Sequence, residues 1–230
     1  MSGEWLYHPL FGIAVSVIAY ATAQSLHRKW NRLHPLFLCA GGVMLVLLIL
    51  RIPYEAYRAG GDIITLMLGP ATVALGVPLY KNFGLIRKHL AGILTSVMAG
   101  SVVGLASAAA LVGLLGGSRE ILASMMPKSV SSPIAIEISR HLGGIPELSA
   151  VLTVLTGLLG SMFGKAILSW FGLKDDISVG IAIGTAAHGI GTARLIRDSE
   201  LQGSLSGFAM GLAGILNSIL FIPVYLWLHG

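Results

Sequence analysis

Stretches of 16 or more residues that contain no Asp, Glu, Lys or Arg include Pro9–Leu26, Pro35–Leu50, Ile63–Tyr80, Leu90–Gly116, Ile177–Ala193 and Gly203–His229. A bilayer core needs roughly 20 predominantly apolar residues per helix, so runs of this length read as membrane-spanning helices. Charged residues make up 11% of the chain and the mean hydropathy is +0.83, whereas an ordinary soluble domain carries roughly 25% charge. The expected class is therefore an all-α integral membrane protein. Two further segments, Ile121–Ser139 and Leu148–Phe171, bring the expected number of crossings to about eight.

With only short polar joins between spans, the 230 residues read as a single transmembrane domain. Residues 1–61 form an N-terminal helix pair and 62–230 a region of repeated broken helices. Met1–His8 carries Glu4 and no Lys or Arg, so it lacks the positively charged n-region of a cleavable signal. A single cysteine, Cys39, excludes an internal disulfide, and no metal or other cofactor is expected. Nine of the 15 Lys and Arg fall in alternate joins: Arg28, Lys29, Arg32, Lys81, Arg87, Lys88, Arg140, Arg194 and Arg197. The opposite joins hold Arg51, Arg58, Arg119 and Lys174. The positive-inside rule makes the richer face cytoplasmic and puts both termini outside. These charges have a topological role, and no basic patch interleaved with aromatics points to nucleic acid.

Three segments depart from a plain span: Leu68–Tyr80 with Gly69, Pro70 and Pro78; Met126–Ala135 with Pro127 and Pro133; and Ile183–Ala193 with Gly184 and Gly191. Proline removes a backbone donor and glycine permits non-helical geometry, so each segment is expected to be a broken helix. Pro70, Pro127 and Gly184 stand 57 residues apart, which implies internal repeats. Eight crossings would make the repeats parallel; a re-entrant segment would make them inverted. Unwound backbone at membrane depth is tolerated where protein or a water-filled cavity satisfies it, so three breaks imply a polar cavity.

The candidate ligands lie at those breaks. Thr185, His188 and Thr192 share one face of a regular helix, Ser129 and Ser132 stand three apart, and Thr72 adds a hydroxyl. Lys128 is a cation at membrane depth, a position where charge is costly and often functional. The alternatives are an amine snorkelling to the interface for Lys128 and a helix-bridging imidazole for His188. Lys165 is expected away from the cavity. Glycines four apart, including Gly203, Gly207 and Gly211, fit close helix packing and a homodimer contact. There is no His-Glu-x-x-His or comparable constellation, so no enzyme is expected.

The same three segments, Leu68–Lys81 (LGPATVALGVPLYK), Pro127–Ala135 (PKSVSSPIA) and Gly184–Ala193 (GTAAHGIGTA), resemble the signatures of the LrgB/CidB family of bacterial membrane proteins, to which the plastidial glycolate/glycerate translocator is related. Ser131 and Ser132 stand where threonines are usual, and Gly76 and Gly189 where alanine is common. The resemblance implies a multi-pass protein of the bacterial inner membrane, with a small LrgA/CidA-like holin-resembling partner. It also implies either transport of a small carboxylate such as glycolate, glycerate or pyruvate, or regulation of murein hydrolases and autolysis. In the carrier reading, Lys128 and half-helix N-termini hold the carboxylate, Ser129, Ser132, Thr185 and Thr192 its oxygens, and His188 shuttles a proton.

Overall fold

The computed structural model describes residues 3–29, 35–74 and 76–229, with the side chains of 3–4, Leu68, Ala71, Thr72 and 227–229 outside the description. It is all-α, with no strand among the described residues, and divides into two compact units, Met1–Ala74 and Leu75–Gly230. By packing, the boundary falls inside the first broken segment. Among the described residues, five helices are long and apolar enough to cross a membrane: Pro9–Lys29, Leu90–Leu114, Pro146–Trp170, Asp176–Asp198 and Glu200–Leu226.

The first unit contains α1 (Pro9–Lys29), the shorter apolar α2 (Pro35–Ile49), α3 (Tyr54–Leu66) and α4 (Leu68–Ala74). α1 and α3 meet through glycine, because a Cβ on Gly12 would overlap Tyr57 O and one on Gly60 would overlap Pro9 O. With no hydrophobic drive between helices in lipid, such backbone proximity supplies the packing energy. The Ser16 and Tyr57 hydroxyls, 2.9 Å apart, add a hydrogen bond across the same contact.

The second unit opens with the short helices α5 (Gly76–Lys81) and α6 (Phe83–Lys88), followed by α7 (Leu90–Leu114). Next come α8 (Arg119–Met125), a 3-10 turn over Met126–Ser129 and α9 (Ser132–His141), then α10 (Pro146–Trp170), α11 (Asp176–Asp198) and α12 (Glu200–His229). α11 is helical on both sides of His188, whose φ of 39° and ψ of −135° interrupt it. At 1.5 Å per residue, Ile183 and Gly191 in a straight helix would lie about 12 Å apart along the axis. Instead a Cβ on Gly191 would sit 2.7 Å from Ile183 Cγ2. Val179 and Leu195, from opposite ends of α11, belong to one buried cluster with Ile183 and Ala187. The chain therefore turns back at His188, and α11 is a re-entrant helical hairpin.

α8 and α9 form a second hairpin. Ile145 N–H donates to Ser124 Oγ at 2.7 Å, and Ala123, Met126 and Leu142 pack in one cluster, so the chain leaves by the face at which it entered. Proline explains this reversal: Pro127 starts the 3-10 turn, Val130 and Ser131 are extended, and Pro133 opens α9.

The two hairpins enter from opposite faces. Lys81 pairs with Glu200 at 2.9 Å, and Ile93 of α7 clusters with Ile86, Ile181 and Leu205, so the start of α7, the hairpin α11 and the start of α12 share a face. Phe221, near the far end of α12, packs with Ala123, Met126 and Leu142 at the other. α7, α10 and α12 run from face to face; α8–α9 and α11 do not. In this unit, then, three helices run the length of the bundle, and two segments expected as simple crossings fold back as hairpins.

This arrangement makes the repeat inverted. α7 and α10 are both 25 residues long and are followed by hairpins of equal length, Arg119–His141 and Asp176–Asp198. Gly116 and Gly172, which follow α7 and α10, have φ of 68° and 79°, a region open to glycine. Each hairpin then starts on a side-chain cap, with Ser118 Oγ accepting from Ile121 N–H and Asp175 Oδ1 from Ser178 N–H. The amide bond from Ser178 holds the Asp175 carboxyl below the usual carboxylate range.

Re-entrance has a sharp consequence for labelling. In a Cys39→Ser background, an impermeant thiol reagent should reach Asn82→Cys and Lys174→Cys from one face and Arg119→Cys and Arg140→Cys from the other. Two full crossings in place of the hairpins would group Lys174 with Arg119 and Arg140 with Asn82.

Candidate functional site

Between the hairpins lies a cavity of about 550 Å³, lined by α7 (Ser96, Gly100, Gly104), the turn of the first hairpin (Lys128, Ser129), Thr156 of α10, and the ingoing half of α11 (Ser178, Ile181, Ala182, Thr185, Ala186) with Leu173. Larger grooves, about 690 Å³ along α1 and α2 and about 630 Å³ along α9 and α12, are mostly aliphatic and open on the outer surface. The smaller cavity brings Lys128 together with five hydroxyl residues, Ser96, Ser129, Thr156, Ser178 and Thr185, drawn from the two hairpins and the helices between them. Among the described residues none of its lining is acidic.

Lys128 is half-buried, and its Nζ donates to Gly104 O at 3.2 Å. Gly104 faces the first hairpin, with Ser129 Oγ 3.4 Å from a would-be Cβ, an ordinary contact. Gly100 faces the second more tightly, with Thr185 Cγ2 3.1 Å from its would-be Cβ. Thr185 Oγ1 donates to Ile181 O at 2.8 Å, leaving its lone pairs as acceptors.

Applying the repeat, with an offset of 56 in the crossing helices and 57 in the hairpins, pairs Gly100 with Thr156, Lys128 with Thr185 and Ser129 with Ala186. All six line the cavity. The cavity is thus built from equivalent positions of the two copies of the repeat.

Of the residues expected from sequence, the fold gathers Lys128, Ser129 and Thr185 around one space. Ser132, His188 and Thr192 do not line it, and the Thr72 side chain lies outside the described residues. The chain reversal explains the first correction. The common face of Thr185, His188 and Thr192 assumed a straight helix, but reversal at His188 turns Thr192 toward α12, where its hydroxyl lies 2.7 Å from Ser206 Oγ and donates to His188 O at 2.8 Å. His188 is 3% exposed, with Nε2 2.9 Å from Thr153 O. It locks the hairpin tip to α10 instead of facing solute. Gly184 and Gly191, expected as break points, are helical and serve close packing: a Cβ on Gly184 would overlap Ser206 O, and one on Gly191 would meet Ala187 Cβ at 2.7 Å. Gly69, Pro70 and Pro78 lie in the first turns of α4 and α5.

Lys165 pairs with Asp198 at 2.7 Å, away from the cavity as expected. Sequence reasoning missed Ser96, Thr156 and Ser178. Each is an isolated hydroxyl in an apolar helix, and only the assembled fold singles it out. Gly203, expected at a dimer contact, is used within the chain, because a Cβ there would overlap Ile196.

These features define a multi-pass, all-α membrane protein with broken helices around a cavity that holds a lysine and several hydroxyls. The LrgB-like family model matches residues 16–227, and the chain belongs to that family. It is 34% identical to the uncharacterized protein YwbG of Bacillus subtilis (strain 168), over 90% of this chain and 93% of that protein. Identity to YxaC of the same organism is also 34%, over 94% of each chain. The holin-like protein CidB of Staphylococcus epidermidis (strain RP62A) is 31% identical over 94% of this chain and 95% of its own length. No solved structure matches the chain.

The tip contact can be tested by overpacking. A Cβ on Gly157 would stand 2.6 Å from His188 Cε1 and 2.9 Å from its Nε2. Gly157→Leu should therefore lower stability by about 1–3 kcal/mol, seen as a lower thermal midpoint in detergent. An unchanged midpoint would show that the tip does not seat there.

Proposed function

We propose that the chain is a carrier of small 2-hydroxy or 2-oxo monocarboxylates such as glycolate, glycerate or pyruvate, binding them at the junction of the two hairpins and exchanging access between faces. The supporting observation is the lone Lys128 ammonium in a hydroxyl-lined cavity whose described lining holds no acid. An ammonium drawn from water needs a compensating charge, and a carboxylate supplies it with two acceptors. Ser129, Thr185 and Thr156 are then available to the remaining oxygens. A volume of about 550 Å³ admits a three-carbon acid with water around it.

Within the second unit, Lys81, Arg87, Lys88, Lys174, Arg194 and Arg197 belong to one face, and Arg119 and Arg140 to the other. The positive-inside rule makes the first face cytoplasmic, in a bacterial inner membrane with both termini outside. A homodimer and a small LrgA/CidA-like partner belong to the same proposal. The name of the Staphylococcus relative favours a second reading, in which the chain acts as a holin-like pore or a regulator of autolysis. Uptake that saturates and discriminates among acids separates a carrier from a pore.

In proteoliposomes, Lys128→Ala should weaken carboxylate binding about ten- to a hundred-fold, the loss of one charge-assisted partner at roughly 1.5–3 kcal/mol. Thr185→Ala should have a smaller effect, and Lys165→Met little. Unchanged binding and uptake in Lys128→Ala would overturn the assignment.

A further inference from the structure

The lining of the cavity reaches one face only. Its lining runs from Leu173 and Ser178, at the face shared by Lys81 and Glu200, down to Lys128 and Gly104, and no described residue of 115–121 or 139–149 contributes to it. The inverted repeat supplies a counterpart for each residue of this entrance. Ser96 corresponds to Leu152, Ser178 to Ile121, Ile181 to Ser124 and Ala182 to Met125.

We infer that Ile121, Ser124, Met125 and Leu152 line a second entrance, from the Arg119 face, which opens when the Ser178–Ala182 entrance closes. This rests on the carrier reading and adds the route by which the solute reaches the other side. Two equivalent packings of the repeats would exchange roles about the pseudo-two-fold axis, keeping Lys128, Thr185, Gly100 and Thr156 at the centre in both states.

The second route is shut in this structure by identifiable contacts. Ser124 is fully buried, accepts from Ile145 N–H at 2.7 Å and donates to Glu120 O at 2.7 Å. Gly144 presses on it, with a would-be Cβ 2.8 Å from Ser124 N. Phe221 completes the seal with Ala123, Met126 and Leu142. Most of these contacts lie between the first hairpin and its neighbours, so a shift of that hairpin breaks them together. The other entrance has an apolar Ile181 where this one has Ser124, so the two gates close by different interactions.

The test uses sided labelling of the full chain in proteoliposomes, in a Cys39→Ser background, with an impermeant methanethiosulfonate reagent. Met125→Cys and Ser124→Cys should react from the Arg119 face, and Ala182→Cys from the Lys81 face. A bulky wedge that keeps one entrance from closing should suppress the other. Ala182→Trp should slow labelling of Met125→Cys by about tenfold, and Leu152→Trp should slow labelling of Ala182→Cys similarly. Ser178→Trp provides a second wedge should Ala182→Trp fail to insert, and Ser124→Cys a second reporter. Labelling of Met125→Cys and Ser124→Cys that is absent, or indifferent to both wedges, overturns the inference. Pyruvate uptake by the Cys39→Ser parent is read in parallel. Saturable uptake with indifferent labelling sinks the second entrance alone; reciprocal labelling with non-saturating uptake upholds the two-entrance device and sinks the carrier reading.

Discussion

A backbone that turns round at membrane depth must find partners for the polar groups it frees, and much of the second unit is organised by that requirement. At the tip of the second hairpin, the His188 carbonyl accepts from Thr192, whose hydroxyl also meets Ser206, while the His188 ring reaches the Thr153 carbonyl. The positive φ of His188 is unfavourable for a residue with a Cβ, and these contacts hold it in place. Small residues on the neighbouring helices let the partners approach: Gly157 and Gly160 on α10 accommodate His188 and Ala187, and Gly184 lies against the Ser206 backbone. Without hairpin reversal there would be no opposed tips, and without opposed tips no central cavity.

Inversion follows from the same reversals. A crossing helix and a re-entrant hairpin, repeated once, bring the second copy in from the other face. The paired positions Lys128 and Thr185 then meet because both sit near hairpin tips, though they lie on different faces' hairpins. The repeat has diverged where charge matters: one copy carries an ammonium and the other a hydroxyl. Two cations in one cavity would repel, whereas in the proposed carrier this pair would offer one charged anchor and one neutral hydrogen-bonding group to an asymmetric acid.

Much of this architecture was legible in the sequence. The uncharged runs gave an all-α membrane protein, the Pro and Gly clusters marked the segments that break, and the 57-residue spacing announced a repeat. Reversal was not legible, because an apolar run of 23 residues is as suitable for a crossing as for a hairpin folded at its middle. Charge could not reveal it either, since Arg140 and Lys174 exchange faces one for one. That Lys128, Ser129 and Thr185 share one space was readable because they stand at or just before a break. Thr192 and His188 were expected beside them because α11 was read as one straight helix, and the lining residues Ser96, Thr156 and Ser178 carry no local mark at all.

Fold-back of α11 is the central claim, and the separation of Val179 and Leu195 tests it directly. As a continuous helix, their Cα atoms would be about 24 Å apart. Folded at His188, they belong to one packed cluster. With Val179→Cys and Leu195→Cys in the Cys39→Ser background, a short bifunctional thiol reagent applied to native membranes should join the two positions within a single chain. Failure to cross-link, with both cysteines shown to be reactive, would mean that the helix runs straight and that the cavity between the hairpins does not exist.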